Sequence, residues 1–387
     1  MKTTRHKYDI VILGAGCSGM LLSFFLSNKK TKHNKNILLI ERNQSFVFDK
    51  TWCFWEEKSI NTLNECTNNS WSNWILYNNN EKIDKESKSY QYNQIRSIDF
   101  FKFIEKIINN DRNFEFIQGV EVTDDCIKKN KIFFNNSEIE FGELIDCRFI
   151  KENLPRNVVS QIFFGYEIQV SSDIKSEINF DSPNIISDLT YDETSVFFYY
   201  IIPDKKNNSF LIQATFISKK SSIDFDKNKI HEYIKNKLKL TDYIVIREED
   251  GLIPQFSISP YYSYLKSKNG GTTHGMVKPS SGYGFLRSCN WAQIRANRLL
   301  NIKQQIKNQI FYSYIYNFLD IIFLEVFKEN PKYTYDLFSA MASKIDGTLY
   351  AKFLTEKANL VEILKVIVIT PNKLIFIKKA LKVLFNN

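Results

Sequence analysis

Tyr8 to Glu41 reads YDIVILGAGCSGMLLSFFLSNKKTKHNKNILLIE, and the order of its residue types decides the fold. The run Ile10 to Leu13 is short, apolar and rich in β-branched residues, which predicts a buried strand. Gly14, Gly16 and Gly19 follow at the spacing G-x-G-x-x-G. In a dinucleotide fold the first glycine permits the tight turn, the second lets a pyrophosphate approach the backbone, and the third lets helix and strand pack closely. The helix that opens there turns free N–H groups and the positive end of its dipole toward the phosphates. LLIE then predicts a second strand, whose terminal Glu41 stands where a carboxylate binds ribose hydroxyls. A glycine triplet alone recurs by chance in loops, whereas strand, triplet, helix, second strand and terminal acid in this order specify a nucleotide site. The competing reading is an ordinary βαβ unit without a ligand.

Glycine is scarce, 13 in 387 residues, so its second cluster at residues 270–284 is informative. There GGTTHGMVKPSSGYGFLRSCNWAQIRANRLL carries Gly275, Pro279, Gly282 and Gly284 into a helix expected from about Leu286. In flavin folds such a turn aims a helix N-terminus at the isoalloxazine ring. Two glycine sites far apart, each opening a helix, argue for FAD over a nicotinamide nucleotide alone. Arg287, Arg295 and Arg298 are expected on the solvated face of that helix.

The segments between the two clusters fill in the architecture. DKTWCFW at Asp49 to Trp55 places three aromatics just after the second strand, either beside a flavin or in the core. Ser97 to Asn109 has helical apolar spacing, with Ser97 or Asp99 able to cap its start. From Phe163 to Ser218, FFGYEIQV, SVFFYYIIP and SFLIQATFIS predict an antiparallel sheet, and residues 224–240 predict a helix. The expected organisation is an α/β protein with an α+β insert: a Rossmann-type FAD-binding domain (1–160, returning at 251–305), an inserted antiparallel substrate sheet (161–250) and a helical C-terminal part (306–387).

Composition narrows the function classes. Hydrophobic content of 43% with 25% charged residues belongs to a globular chain. The 32 Phe and 20 Tyr suit a pocket for a large apolar ligand, although codon bias toward these residues gives the same excess. Net charge is +9, yet no nucleic-acid motif accompanies it. Six scattered cysteines show neither metal-ligand spacing nor a disulfide framework, so no metal is expected and the cysteines read as cytosolic thiols. The N-terminus runs straight into the first strand and lacks the pattern of a signal peptide. The tail VEILKVIVITPNKLIFIKKALKVLFNN is broken by Pro371 and mixes lysines with apolar residues. It suits either docking on an anionic bilayer or packing on its own domain with a lysine-rich outer face.

Taken in order, DIVILGAGCSG, DKTWCFW, IDCR (145–148), GYEIQV (165–170), ISDLT (186–190), GLIP (251–254) and KPSSGYGF (278–285) make the chain resemble the lycopene cyclase family from Tyr8 to about Leu384. These are FAD enzymes that close ionone rings on linear carotenoids. The resemblance implies reduced FAD, with NADPH as a possible reductant, an apolar polyene substrate, and a cytoplasmic enzyme peripheral to the inner face of the membrane. It implies ring closure without net oxidation, begun by a carboxylic acid that an apolar pocket keeps protonated. In SFLIQATFIS the family carries that carboxylate where this chain has Gln213, and an amide cannot protonate an alkene. The acids at matching family positions are Asp188 and Glu167, with Glu193 a weaker choice. His274 also departs from the family and is either an acid or base beside the flavin or a surface turn residue. The missing acid leaves a second reading open: an FAD-dependent oxidoreductase or monooxygenase, or a cyclase acting on another prenylated or polyketide-like substrate.

Overall fold

The computed structural model describes residues 6–27, 34–46, 49–59, 63–78, 81–134, 137–171 and 181–385. It opens with β1 (Lys7–Leu13), α1 (Cys17–Ser27) and β2 (Ile37–Glu41), the unit expected from the glycine motif. Residues 28–33 of that stretch lie outside the described residues. The chain continues through β3 (Thr51–Glu57), β4 (Asn69–Trp71), β5 (Asn73–Asn78), β6 (Glu81–Glu86), β7 (Tyr90–Arg96), α2 (Ser97–Asn109) and β8 (Phe114–Gln118). Next come β9 (Ile127–Lys128), β10 (Lys131–Phe134) and β11 (Ser137–Asp146).

Strands β8, β2, β1 and β11 are parallel neighbours, and β10 and β9 extend the sheet antiparallel, in the order β8-β2-β1-β11-β10-β9. β2 is buried at every position because helices and strands cover both faces of the sheet. The start of α2 differs from expectation. Ser97 Oγ accepts from the Lys50 amide at 2.7 Å, and Asp99 accepts from the Asn68 side chain, so neither caps the helix.

The second sheet is built from β12 (Val159–Gln169), β13 (Asn184–Tyr191), β14 (Ser195–Asp204), β15 (Ser209–Ser218) and β16 (Ile244–Gln255), with α3 (Asn228–Asn236) on one face. Its order is β16-β12-β15-β14-β13-β5-β6, antiparallel except where β13 meets β5. It therefore reaches past 161–250, taking β5 and β6 from early in the chain and running β16 to Gln255. β3, β7 and β4 form a small sheet between the two large ones. Strand alternation divides β3 between two cores. Trp52 and Phe54 meet Phe100, Phe101 and Phe285 on one side, while Cys53 and Trp55 meet Tyr92, Tyr283 and Tyr350 on the other.

The returning helix α4 (Phe285–Leu299) packs on α1, and the chain ends in α5 (Lys307–Glu329), α6 (Pro331–Lys344), α7 (Gly347–Leu354), α8 (Leu360–Ile369) and α9 (Lys373–Phe385). Pro331 opens α6 behind an Asn330 cap, Asp346 caps α7, and Asn359 with Glu362 forms a capping box on α8. α5 is long and apolar enough to cross a membrane, but half of it is buried in the fold. It is a core helix, and its Asp320 sits in a buried charge cluster.

That cluster corrects the expectation for the arginines. Arg287 is buried and donates to Asp320 at 2.9 Å and to Glu356. Arg295 is buried and paired with Glu143, and only Arg298 is exposed. Lys278 completes the group at 2.7 Å from Asp320. Burial pushes the Glu356 carboxyl up, but Arg287 and Lys278 beside it hold it below the usual carboxylate range. Two cations and two anions thus join the second glycine loop, α4, α5 and the turn after α7. Removing one partner from a buried pair costs about 3–5 kcal/mol because the remaining charge stays buried. Lys278→Met is expected to lose that much stability, read as a fall in the urea midpoint.

Candidate cofactor and active site

A cleft of about 950 Å³ opens at the C-terminal ends of β1 and β2. Gly14, Gly16, Glu41, Gly282 and Gly284 line it, as do Trp52, Arg148 and Phe285. Gly14 turns the chain with φ of +91°, a conformation that L side chains rarely adopt. A Cβ at Gly19 would fall 2.0 Å from the Gly14 carbonyl oxygen, so this glycine sets the strand-to-helix distance. A Cβ at Gly16 would meet nothing within 4 Å and would project into the cleft where a pyrophosphate must come close. Gly14 thus makes the turn and Gly19 the close packing, and Gly16 leaves the backbone open on the cleft side.

The Glu41 carboxylate is fixed by the Ala15 amide at 2.7 Å, and by the Asn43 amide and side chain at 3.0 and 2.8 Å. Oε2 accepts one of these bonds, which leaves a lone pair for a ribose hydroxyl. At the other end of the cleft a polar patch surrounds Gly282. Gln255 is 1% exposed, yet neither of its amide atoms has a hydrogen-bond partner, and the Ser281 hydroxyl also lacks one. A Cβ at Gly282 would lie 2.4 Å from Gln161 Oε1 and 3.5 Å from Gln255 Nε2. Orphaned buried amides beside a glycine at a helix start fit the polar edge of a ring such as the isoalloxazine. The glutamines escaped the sequence reading because they end or interrupt apolar strands, and only the fold brings them to Gly282. Gly275 does not reach the cleft lining. It closes a left-handed turn against Tyr262.

The candidate acids are each tied to a cation or exposed. Glu167 is buried, but Arg247 Nε donates to it at 2.8 Å and Ser209 Oγ at 3.2 Å. The same guanidinium binds Glu249 at 2.8 Å and Thr51 Oγ1 at 2.8 Å. A carboxylate held this way is an acceptor in a charge network, not an isolated acid among apolar groups. Asp188 has φ of +48° at a register shift in β13 and pairs with Lys237 at 3.4 Å, on the α3 side of the sheet beside Tyr199 and Tyr233. Glu193 is exposed in a turn. His274 is also displaced: its Nδ1 lies 2.9 Å from the Gly270 carbonyl oxygen, and the ring stands outside the cleft lining.

Gln213 does occupy the interior. It is 7% exposed and faces the Trp55 core, with Gly165 on one neighbouring strand and Tyr200 on the other. A Cβ at Gly165 would lie 2.6 Å from Gln213 Cγ, so the glycine makes room for the amide side chain. Next to it Tyr92 Oη stands 2.6 Å from Tyr200 Oη and 3.2 Å from Tyr283 Oη. Burial pushes all three phenols up, which keeps them neutral, and pushes the nearby Cys53 thiol up to about 12. Among the described residues one carboxyl is raised by burial, that of Glu56, to about 7. It sits on the Phe54 side of β3 near Cys289, across the strand from the tyrosines.

Known proteins resemble this chain in family and in fold. Residues 9–376 match the model of the family described as "Lycopene cyclase protein". No curated protein matches the chain. Among solved structures, a geranylgeranyl bacteriochlorophyll reductase-like protein from Thermoplasma acidophilum superposes with a TM-score of 0.59 at 13% identity, covering 98% of this chain and 99% of that one. The p-nitrophenol 4-monooxygenase PnpA of Pseudomonas putida gives 0.57 at 11% identity, with 98% of each chain covered. PqsL of Pseudomonas aeruginosa, a probable FAD-dependent monooxygenase, gives 0.53 at 10% identity over 87% of this chain and 97% of that one. At such identities the likeness shows the shared fold alone.

Two tests follow from the geometry. Gly16→Val, which fills the open approach, should release the cofactor, so that the purified protein loses its flavin absorbance while keeping its circular dichroism. Glu56 titrates higher in the folded chain than the 4.5 of a free carboxyl, so its stabilising effect is complete at low pH and is lost as pH rises through about 7. Glu56→Gln should therefore lose less stability than the parent chain between about pH 5 and about pH 8, read from urea midpoints.

Proposed function

The chain belongs to the lycopene cyclase family, and from that premise we propose an FAD enzyme that accepts a long apolar, polyene-like or prenylated substrate but has exchanged acid-initiated ring closure for flavin redox chemistry. The observation that carries the reading is Gln213, which is buried where the resemblance puts a carboxylate, while the acids near it among the described residues are already engaged. Glu167 and Glu249 are tied to Arg247, Asp188 faces α3, and Glu56 lies across β3. Bound FAD supplies hydride and one-electron chemistry that needs no strong protein acid.

The chain's own residues have clear parts in this scheme. Gly14, Gly16 and Glu41 hold the dinucleotide end. Gly282, Gly284 and the start of α4, with Gln161 and Gln255, orient the ring edge. Trp52 and Phe285 offer an apolar wall in the cleft, and the neutral Tyr92, Tyr200 and Tyr283 cluster excludes water behind it. NADPH is the electron donor to test first.

Lycopene cyclisation is the second reading, favoured by the family match along nearly the whole chain. Expression in a lycopene-accumulating bacterium separates the two. Our reading expects lycopene left intact or changed in mass by hydrogen or oxygen. A monocyclic or bicyclic isomer of unchanged mass would overturn it. Gln213→Glu restores the family's carboxylate and would yield such isomers if the acid were all that had been lost. We expect none, because the tyrosine hydroxyls close on one another beside this position.

A further inference from the structure

The charges that line the cleft are unevenly spread. Its four acids, Glu41, Glu121, Asp124 and Glu152, end or follow β2, β8 and β11, around the dinucleotide end. Arg148 is there too, bound to Asp146 at 2.6 Å, to Asp124 at 2.7 Å and to the Val122 carbonyl oxygen, and the exposed Arg42 follows Glu41 directly. Lys50 is the remaining basic residue of the lining, and it belongs to the other end. Its ammonium donates to the Asp250 carbonyl oxygen and stands 6.0 Å from the centre of the Phe163 ring. Phe163 lies over Gly251, where a Cβ would come within 2.4 Å of its Cζ. Two residues along the same strands Gln161 faces Ile253, and a Cβ at Gly282 would lie 2.4 Å from Gln161 Oε1. Lys50 thus shares the ring end of the cleft with Gln161, Gly282 and Trp52.

The fold holds Lys50 firmly. Its amide donates to Ser97 Oγ at 2.7 Å, and its carbonyl oxygen accepts from the Ser97 amide at 2.7 Å. Ser97 is itself buried. On one side of the lysine the Asp49 carbonyl oxygen accepts from Arg247, and on the other Glu249 holds Thr51. Among the described residues no carboxylate lies within ion-pairing distance of the ammonium. Arg96 and Arg247 take Asp49, Glu167 and Glu249, and Lys227 takes Asp250. An ammonium has three N–H donors, and the Asp250 carbonyl uses one. A half-buried cation pinned at both backbone groups, with donors to spare and no anion of its own, is placed to meet negative charge that develops in the cleft. Uptake of two electrons and one proton gives an isoalloxazine one net negative charge, so a fixed cation at the ring end favours the reduced form.

We propose that Lys50 sets the reduction potential of bound FAD, its ammonium stabilising the negative charge gained with two electrons and one proton. The inference rests on the FAD reading above, and its test needs no turnover. The flavin-loaded parent chain is compared with Lys50→Met and Lys50→Arg by dithionite reduction in equilibrium with a reference dye. Lys50→Met should bind reduced FAD, relative to oxidised FAD, at least about tenfold more weakly, which lowers the two-electron midpoint potential by about 30 mV. Lys50→Arg keeps the charge and should recover most of that shift. In Lys50→Met the pH at which the potential changes its slope against pH should also move upward, since reduced FAD gives up its second proton less readily without a cation beside it. Where Lys50→Met holds FAD weakly, separate dissociation constants for oxidised and reduced FAD give the same ratio. Equal potentials in the flavin-loaded parent and Lys50→Met overturn this inference alone, as does a shift in Lys50→Arg as large as that in Lys50→Met. A parent chain that takes up no FAD overturns the cofactor reading together with this one. A lycopene isomer of unchanged mass, found with the expected shift, overturns the redox reading and supports the role of Lys50.

Discussion

Strand β3 is buried on both faces, and the arrangement of the site depends on that constraint. A strand between two cores cannot alternate apolar with polar residues, so TWCFW is aromatic or sulfur-bearing from Trp52 to Trp55. Its even-numbered side chains finish the nucleotide-binding core through Phe285, and its odd-numbered ones start the core of the second sheet through Tyr92 and Tyr283. The cleft lies where these two systems meet. Thr51, at the head of the strand, is held by Glu249 through its amide and hydroxyl at 2.9 and 2.8 Å, so β16 sets its position along the chain.

Charge is admitted to this interior in balanced groups. Arg247 with Glu167 and Glu249 locks β12 and β16 to β3, and Lys278 and Arg287 with Asp320 and Glu356 lock the second glycine loop to the helical part. Buried pairs contribute little over an apolar replacement of the same shape, but they tolerate no loss of a single member. They make geometry specific, since a loop carrying a lysine has few places where that lysine is neutralised. Glu249, which faces Gln213 across Gly165, and Glu167 on the same side of the sheet are both bound to Arg247, so the carboxylates on this face are already paired.

The parts of the fold that could be read from sequence are those whose causes are local. The glycine triplet, Glu41 and the strands around them fall within one βαβ unit, and Gly16 opens on the cleft as its spacing implied. The charge groups could not be read, because Lys278 and Glu356 stand 78 residues apart and Arg247 and Glu167 stand 80 apart. Helical spacing placed Arg287 on the wrong side of α4, since the pattern does not reveal that Asp320 and Glu356 wait there. Asp188 misled for a different reason. A regular strand would fix the face of each residue, but the register shifts around Ser187 and the left-handed backbone at Asp188 turn its carboxylate toward Lys237. Gln213 lies inside because β15 is regular and its neighbours keep register throughout, which puts it on the face it shares with Leu211 and Ile217.

The charge group around Lys278 also sets an order of events during synthesis. The chain leaves the ribosome from its N-terminus, so the glycine loop and α4 emerge while Asp320 and Glu356 are still untranslated. Until both have appeared, Lys278 and Arg287 carry charges with no counterparts and cannot settle into the interior. The first glycine turn can form as soon as β11 is made, whereas the second cannot close until the turn at Glu356 has been threaded home. Acquisition of the cofactor is therefore a property of the finished polypeptide, and a truncated product ending before α7 would be a chain with half a nucleotide site.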